Sequence, residues 1–125
     1  MRIFILEDNQ FRINHFKRKF AGHDLVFMEY ALSAILFLGG DLNFDLISLD
    51  HDLGNREYVN SEDENTGYQV AKFLAQKKVK CPIIIHSMNP VGAEAMKKCL
   101  PNAIILPMLV DLNLQEIKDQ YKITD

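Results

Sequence analysis

The chain predicts an α/β fold, a single doubly wound sheet of five parallel strands in the order 2-1-3-4-5. Three observations predict it. Short continuous apolar runs alternate with stretches of helical periodicity, as repeated βα units require. Three of the runs end abruptly in acids or a histidine: Arg2 to Leu6 meets Glu7-Asp8, Asp45 to Leu49 meets Asp50-His51-Asp52, and Pro82 to Ile85 meets His86-Ser87. A length of 125 residues suits one domain, 1–125, with a real core.

The elements follow in order. Arg2-Ile3-Phe4-Ile5-Leu6 is the continuous apolar run of a strand covered on both faces. From about Asn9 to Ala21, Ile13, Phe16 and Phe20 share one helical face, with Arg12, Lys17 and Lys19 elsewhere. Asp24 to Met28 is the second strand. Ala31 to Leu38 reads as a helix stopped by Gly39-Gly40. Phe44 to Leu49 is the third strand, and a long polar loop runs from Asp50 to Asn65. A loop of this length is uncommon in a compact domain and is usually functional or mobile; its acids suggest a solvated lid. Thr66-Gly67-Tyr68-Gln69 fits a capping box that opens a helix with Val70, Ala71, Phe73 and Leu74 on its apolar face. Pro82 to Ile85 is the fourth strand. Asn89-Pro90 begins a helix, with Asn as N-cap, that ends near Leu100-Pro101. Ala103 to Leu106 is the fifth strand, and Leu114, Ile117 and Tyr121 mark a final helix.

Composition excludes several classes. The net charge of −3 gives no global attraction to nucleic acid or anionic lipid. No apolar run approaches the roughly 20 residues of a membrane span. The apolar run before Glu7 is too short for a secretory signal. Cys81 and Cys99 have no metal-type spacing and read as free thiols in a reducing compartment. The expected protein is soluble and cytoplasmic, with no appended output domain. Lys72, Lys77, Lys78 and Lys80 read as solvated surface, and His15 and His23 lie far from the strand ends.

In the order 2-1-3-4-5, strands 1, 3 and 4 are neighbours. Glu7, Asp8, Asp50, His86 and Ser87 then line one crevice at the switch point, where ligands of open α/β sheets bind. Several carboxylates in one crevice remain ionised only around a cation; otherwise one takes a proton. Oxygen-rich surroundings favour Mg²⁺ or Mn²⁺, and the two histidines shift the preference toward Mn²⁺. Glu7, Asp8 and Asp50 are the expected ligands. His86, at a strand terminus, suits a general acid or base. His51 reads equally as a ligand, a second acid or base, or a loop residue held by Asp52. Asn89 is first an N-cap, and the same helix end offers donors to a phosphate.

In this arrangement the residues resemble a response-regulator receiver domain, of flavodoxin-like topology. Receivers carry an acidic pair after strand 1, matched by Glu7-Asp8, and a phosphoacceptor ending strand 3, matched by Asp50. The residue two further on, here Asp52, gives a backbone carbonyl to Mg²⁺, and Ser87 matches the Ser or Thr that ends strand 4. Two features depart: Leu106 stands where receivers carry a Lys before Pro107, and Ala103 stands at the switch aromatic. Asp50-His51-Asp52-Leu53-Gly54 with His86-Ser87-Met88-Asn89-Pro90 looks closer to the cyclic-phosphate processing receiver family. That resemblance implies a metal-dependent phosphoesterase acting on a nucleotide with a cyclic phosphate. Asp50 would be ligand, nucleophile or base, His86 the acid, with His51 beside them; Ser87 and Asn89 add polar groups on the ligand side. The alternatives are a single-domain receiver phosphorylated on Asp50 and a non-catalytic module that binds a nucleotide or protein.

Overall fold

The computed structural model describes residues 1–107 together with Gln115, Glu116 and Asp119. Strands β1 (Arg2–Leu6), β2 (Asp24–Met28), β3 (Leu46–Leu49), β4 (Ile83–Ile85) and β5 (Ile104–Ile105) alternate with helices α1 (Gln10–Lys19), α2 (Ala31–Gly40), α3 (Gly67–Ala75) and α4 (Pro90–Cys99). Every strand pair is parallel, and the order β2-β1-β3-β4-β5 is the one the sequence predicts. The final helix expected around Leu114, Ile117 and Tyr121 lies outside the described residues.

Period-two alternation divides the core between the two faces of the sheet. Ile3, Ile5, Leu46 and Ile84 pack with Phe16 and Phe20 beneath α1. Phe4, Leu6, Ile47, Leu49, Ile83 and Ile85 face the other way, against the buried residues of α2, α3 and α4. Ala103 and Leu106, at the switch-aromatic and Lys positions, are absorbed into this apolar packing.

Helix ends depart from expectation in two places. Gly39 and Gly40 are the last residues of α2 rather than its stop. The helix ends because Asp41 is extended, at φ −155°, and its carboxylate accepts from Arg2 Nη1 at 2.8 Å. Gly39 packs near Phe73, whose ring would lie 3.7 Å from a Cβ there. The capping box at α3 does not form, although Thr66 is the N-cap residue. The Thr66 hydroxyl donates back to Asp63 O at 3.0 Å, and Gln69 Nε2 donates to Ser61 O and Asp63 O. Both side chains fasten the preceding loop instead of the helix. Asn9 and Asn89 do cap their helices, accepting from Arg12 N at 3.1 Å and Gly92 N at 3.0 Å.

No helix among the described residues is long and apolar enough to cross a membrane. The four lysines read as surface are exposed. Cys81 and Cys99 are free and half-buried, and burial pushes the Cys81 thiol up to about 12, so it is inert at neutral pH. His23 holds the amino terminus, with Nδ1 2.8 Å from Met1 N.

Candidate metal centre

The same alternation that sorts the core builds the site. Glu7 continues the face of Ile3 and Ile5, Asp50 that of Leu46 and Ser48, and His86 that of Ile84. The register keeps them level: Leu6 pairs with Leu49 and Leu49 with Ile85, so the next residues stand side by side. Asp50 N–H donates to Leu6 O at 3.1 Å and His86 N–H to Leu49 O at 2.9 Å, extending the ladder by one step. Glu7, Asp50 and His86 are all buried, and one ligand atom from each lies within 4.8 Å of the others.

Glu7 is the hub of this row. Its Oε1 accepts from Arg12 Nε at 2.9 Å and from His86 Nε2 at 3.1 Å. Its Oε2 accepts the backbone N–H groups of Asp8 and Asn9, each at 3.1 Å. Burial alone would raise the Glu7 pKa, but the hydrogen bonds and charges of His86 and Arg12 outweigh it and hold the carboxyl at about 2. His86 is wedged behind Glu7. Its Nδ1 lies 2.7 Å from Ser48 Oγ, and its ring meets Phe16 edge-on at 4.9 Å. Both ring nitrogens are therefore engaged, Nε2 with Glu7 and Nδ1 with Ser48.

Asp50 has the opposite balance. Its Oδ1 accepts the His51 N–H at 2.8 Å, while Oδ2 is buried without a hydrogen-bond partner. Arg12 Nη2 stands 3.5 Å from that oxygen, a charge contact short of a hydrogen bond. Burial and the nearby Glu7 charge push the Asp50 carboxyl up to about 8, because Arg12 and the His51 N–H offset them only in part. A buried, unpartnered carboxylate oxygen next to a second carboxylate calls for a cation. The donor set of two acids and an imidazole fits a divalent first-row ion or Mg²⁺. Asp50 would hold it through Oδ2, and Glu7 would join by exchanging the Arg12 bond on Oε1 for the ion, with a ring nitrogen of His86 within 4.8 Å of both acids.

Arg12 is the functional residue that sequence reasoning missed. It is placed off the apolar face of α1, yet its guanidinium bridges Glu7 and Asp50. A signal existed. Arg12 lies in the first helical turn after the Asn9 cap, where a cation opposes the helix dipole and needs an acid to hold it. It supplies positive charge in a site whose strand-5 Lys position is the apolar Leu106.

The other predicted site residues anchor the loop. His51 is fully buried, with Nδ1 2.7 Å from Asp52 Oδ1 and Nε2 2.8 Å from Ser61 Oγ, the contacts of a loop residue held by Asp52. Asp52 also accepts from Tyr58 N, Val59 N and Asn89 Nδ2 at 2.6, 3.2 and 3.1 Å. Partial burial pushes the Asp52 carboxyl up, but these bonds and the His51 bond hold it below the usual carboxylate range. Asp8 lies at the mouth, where Oδ2 accepts Asn55 N–H at 2.8 Å. Asp8 and Asp52 therefore stand outside the tight cluster, and their side chains hold the two ends of the loop's first half. Ser87 Oγ accepts Asn89 N–H at 3.0 Å, so both residues serve the start of α4.

Two glycines admit this packing. A Cβ on Gly92 would lie 2.4 Å from the His51 ring, and one on Gly67 would lie 1.7 Å from Asp50 O. Gly67→Ala must therefore push α3 off the end of β3. It is expected to cost roughly 1–3 kcal/mol or more in urea denaturation; a midpoint equal to wild type would show that the helix does not press on Asp50.

Above the cluster opens a cavity of about 260 Å³, lined by Arg12, Asp50, Asp52, Arg56, Glu57, Tyr58 and Met88. Arg56 is fixed there by a two-pronged bond to Asp63, at 2.9 and 3.2 Å, and by donating to Leu53 O.

The chain is similar to solved receiver domains. The receiver domain of Francisella response regulator 1452 superposes with a TM-score of 0.63 at 18% identity, over 97% of this chain and 93% of that one. The response regulator domain of Thermotoga maritima CheB gives 0.64 at 17% identity, over 100% and 98%. The receiver domain of the sensor histidine kinase PA1611 from Pseudomonas aeruginosa PAO1, with a magnesium ion coordinated in its active site cleft, gives 0.60 at 18%, over 97% and 93%. At these identities the likeness establishes the fold. No curated protein matches the sequence. The family model of the cyclic-phosphate processing receiver domain matches residues 3–102, which take in Glu7, Asp50 and His86, and the chain belongs to that family.

Proposed function

We propose that this receiver domain binds Mg²⁺ or Mn²⁺ at Glu7 and Asp50 and hydrolyses a cyclic phosphate ester. The observation that carries this reading is Asp50 Oδ2, a buried acceptor with no donor, at the floor of an open cavity. The ion would polarise the phosphoryl group and lower the pKa of a bound water. Arg12, already 3.5 Å from Asp50, is placed to bind a phosphate oxygen of the ester. Water adds to phosphorus, the ring P–O bond breaks, and the released oxygen takes a proton to leave a phosphomonoester. That proton would come from solvent in the open cavity, and His86, expected from the sequence as the acid but buried with both ring nitrogens engaged, would instead position the Glu7 carboxylate. Asp8, Asp52 and His51 shape the mouth by fixing the loop. The family description supports the substrate class.

The test is turnover of 2′,3′- and 3′,5′-cyclic mononucleotides, cyclic dinucleotides and ADP-ribose 1″,2″-cyclic phosphate with Mg²⁺ or Mn²⁺, read by mass spectrometry. Ring opening that needs the metal, falls at least about 100-fold in Asp50→Ala and falls about 10- to 100-fold in His86→Ala is expected. Silence across the panel, or activity retained in Asp50→Ala, contradicts the reading.

A second reading, a receiver phosphorylated on Asp50, is favoured by the position of Asp50 directly after β3. It requires a small phosphodonor to add 80 Da to the wild-type chain, and the first reading does not.

A further inference from the structure

We propose that Tyr58, with Met88 in the lining of the same cavity, is the subsite for the organic half of the ligand, and that it selects a flat heteroaromatic ring. This rests on the cyclic-phosphate reading and assigns the part of the site that reading leaves open. Tyr58 and Met88 are exposed large apolar side chains, at 73% and 58%, and both line the cavity that has Asp50 and Arg12 at its floor. The cavity thus has a charged floor, with Arg56 and Glu57 also in its wall, and an apolar flank at Tyr58 and Met88. A ligand with an anionic end and a flat apolar end matches both, and the thioether of Met88 suits contact with a π face.

The backbone supplies the second observation. Tyr58 has φ 52°, in the left-handed region that a bulky residue rarely adopts. Glycine or asparagine would make this turn without strain. The conformation is enforced from below: Tyr58 N–H donates to Asp52 Oδ2 at 2.6 Å, and Asp52 is in turn held by His51 and Asn89. The backbone bond fastens the loop, but the exposed ring adds little to the fold, because it buries little against the protein. It does place a rigid π surface beside the reacting group, and strain of this kind clusters at ligand clamps.

The experiment measures, with Mg²⁺ present, the affinity of adenine-bearing esters and of base-free esters for wild type, Tyr58→Phe and Tyr58→Ala. The first pair is 2′,3′-cyclic AMP and ADP-ribose 1″,2″-cyclic phosphate; the second is ribose 1,2-cyclic phosphate and glycerol cyclic phosphate. Adenine H2 and H8 shifts are followed in the same samples. Tyr58→Ala is expected to weaken at least one adenine ester about 5- to 150-fold, the range of base stacking on an aromatic side chain, and to abolish its upfield ring-current shift. Tyr58→Phe should keep both properties, and base-free esters should bind all three proteins alike. Equal losses for both ester classes in Tyr58→Ala, or no loss for either, overturn the subsite while leaving the cyclic-phosphate reading standing. If no ester of either class binds wild type, the cyclic-phosphate reading fails and the subsite fails with it.

Discussion

Glu7→Ala is expected to destabilise the protein by roughly 3–5 kcal/mol, a fall in melting temperature on the order of 10–20 °C for a domain of this size. Glu7 is fully buried and accepts four hydrogen bonds, from Arg12, His86 and two backbone amides. Truncation strands all of those donors at once. Some of the loss is returned, because Arg12 is then free to swing fully onto Asp50, which already stands 3.5 Å away. Glu7→Gln keeps the acceptor and the shape, so it should cost less than Glu7→Ala. The pH dependence has a definite sign. The Glu7 pKa falls from 4.5 to about 2 on folding, so its contribution is complete above 4.5 and is lost as pH falls from 4.5 through 2. Wild type should lose stability over that acid window more steeply than Glu7→Gln. Thermal scans from pH 2 to pH 7 check this; parallel curves would show that Glu7 is not held ionised.

Asp50→Asn should act in the opposite direction on the metal-free protein. The Asp50 carboxyl is pushed up to about 8 from 3.8, so the folded state binds a proton that the unfolded state has released. Stability therefore falls as pH rises from 3.8 and levels off near 8. An amide carries no ionisation cost and can donate a hydrogen bond in the crowded crevice. We expect Asp50→Asn to raise stability at pH 8 by roughly 1–3 kcal/mol, the scale of one buried unsatisfied polar group. The gain should vanish in saturating Mn²⁺, because only wild type keeps the carboxylate that holds the ion. Metal binding must displace the Asp50 proton, so wild-type affinity should climb between pH 6 and about 8. Unchanged or lowered stability of Asp50→Asn without metal would mean that Asp50 is not under electrostatic stress. Glu7 and Asp50 are thus adjacent carboxyls with opposite effects on the fold. Arg12 and His86 are bonded to one, and the other receives only what charge remains.

Much of this was legible in the chain. The apolar runs gave the strands and their order, because strands covered on both faces have little freedom in composition. The crevice was legible because runs that end in Glu7, Asp50 and His86 place polar groups at one end of the sheet. Their grouping beneath α1 follows from counting alternate residues along each strand, a step that excludes Asp8 from the tight cluster. Arg12 was harder to read, since a lone basic residue on a polar helix face usually points to solvent, and only its conflict with the helix dipole marks it. Ser48 was hidden within the β3 run, where a small polar residue carries no pattern of its own. The loop was least readable. Thr66 and Gln69 had the spacing of a capping box, but the carbonyls of Ser61 and Asp63 competed successfully for their side chains. Sequence spacing names possible partners, and the tertiary neighbours decide among them. The same competition turned His51 and Asp52 toward each other, Ser61 and the Tyr58 amide, which no local pattern announces.

The measurement that tests the central claim most directly is calorimetric titration of Mn²⁺ into wild type, Asp50→Ala and Asp8→Ala at pH 8. The metal centre described here predicts one ion per wild-type chain, with affinity weakened more than about 100-fold in Asp50→Ala and about 10- to 100-fold in Asp8→Ala, which loosens the Asn55 end of the loop. Equal affinity in all three proteins would contradict it, and would place any bound ion away from the ends of β1 and β3.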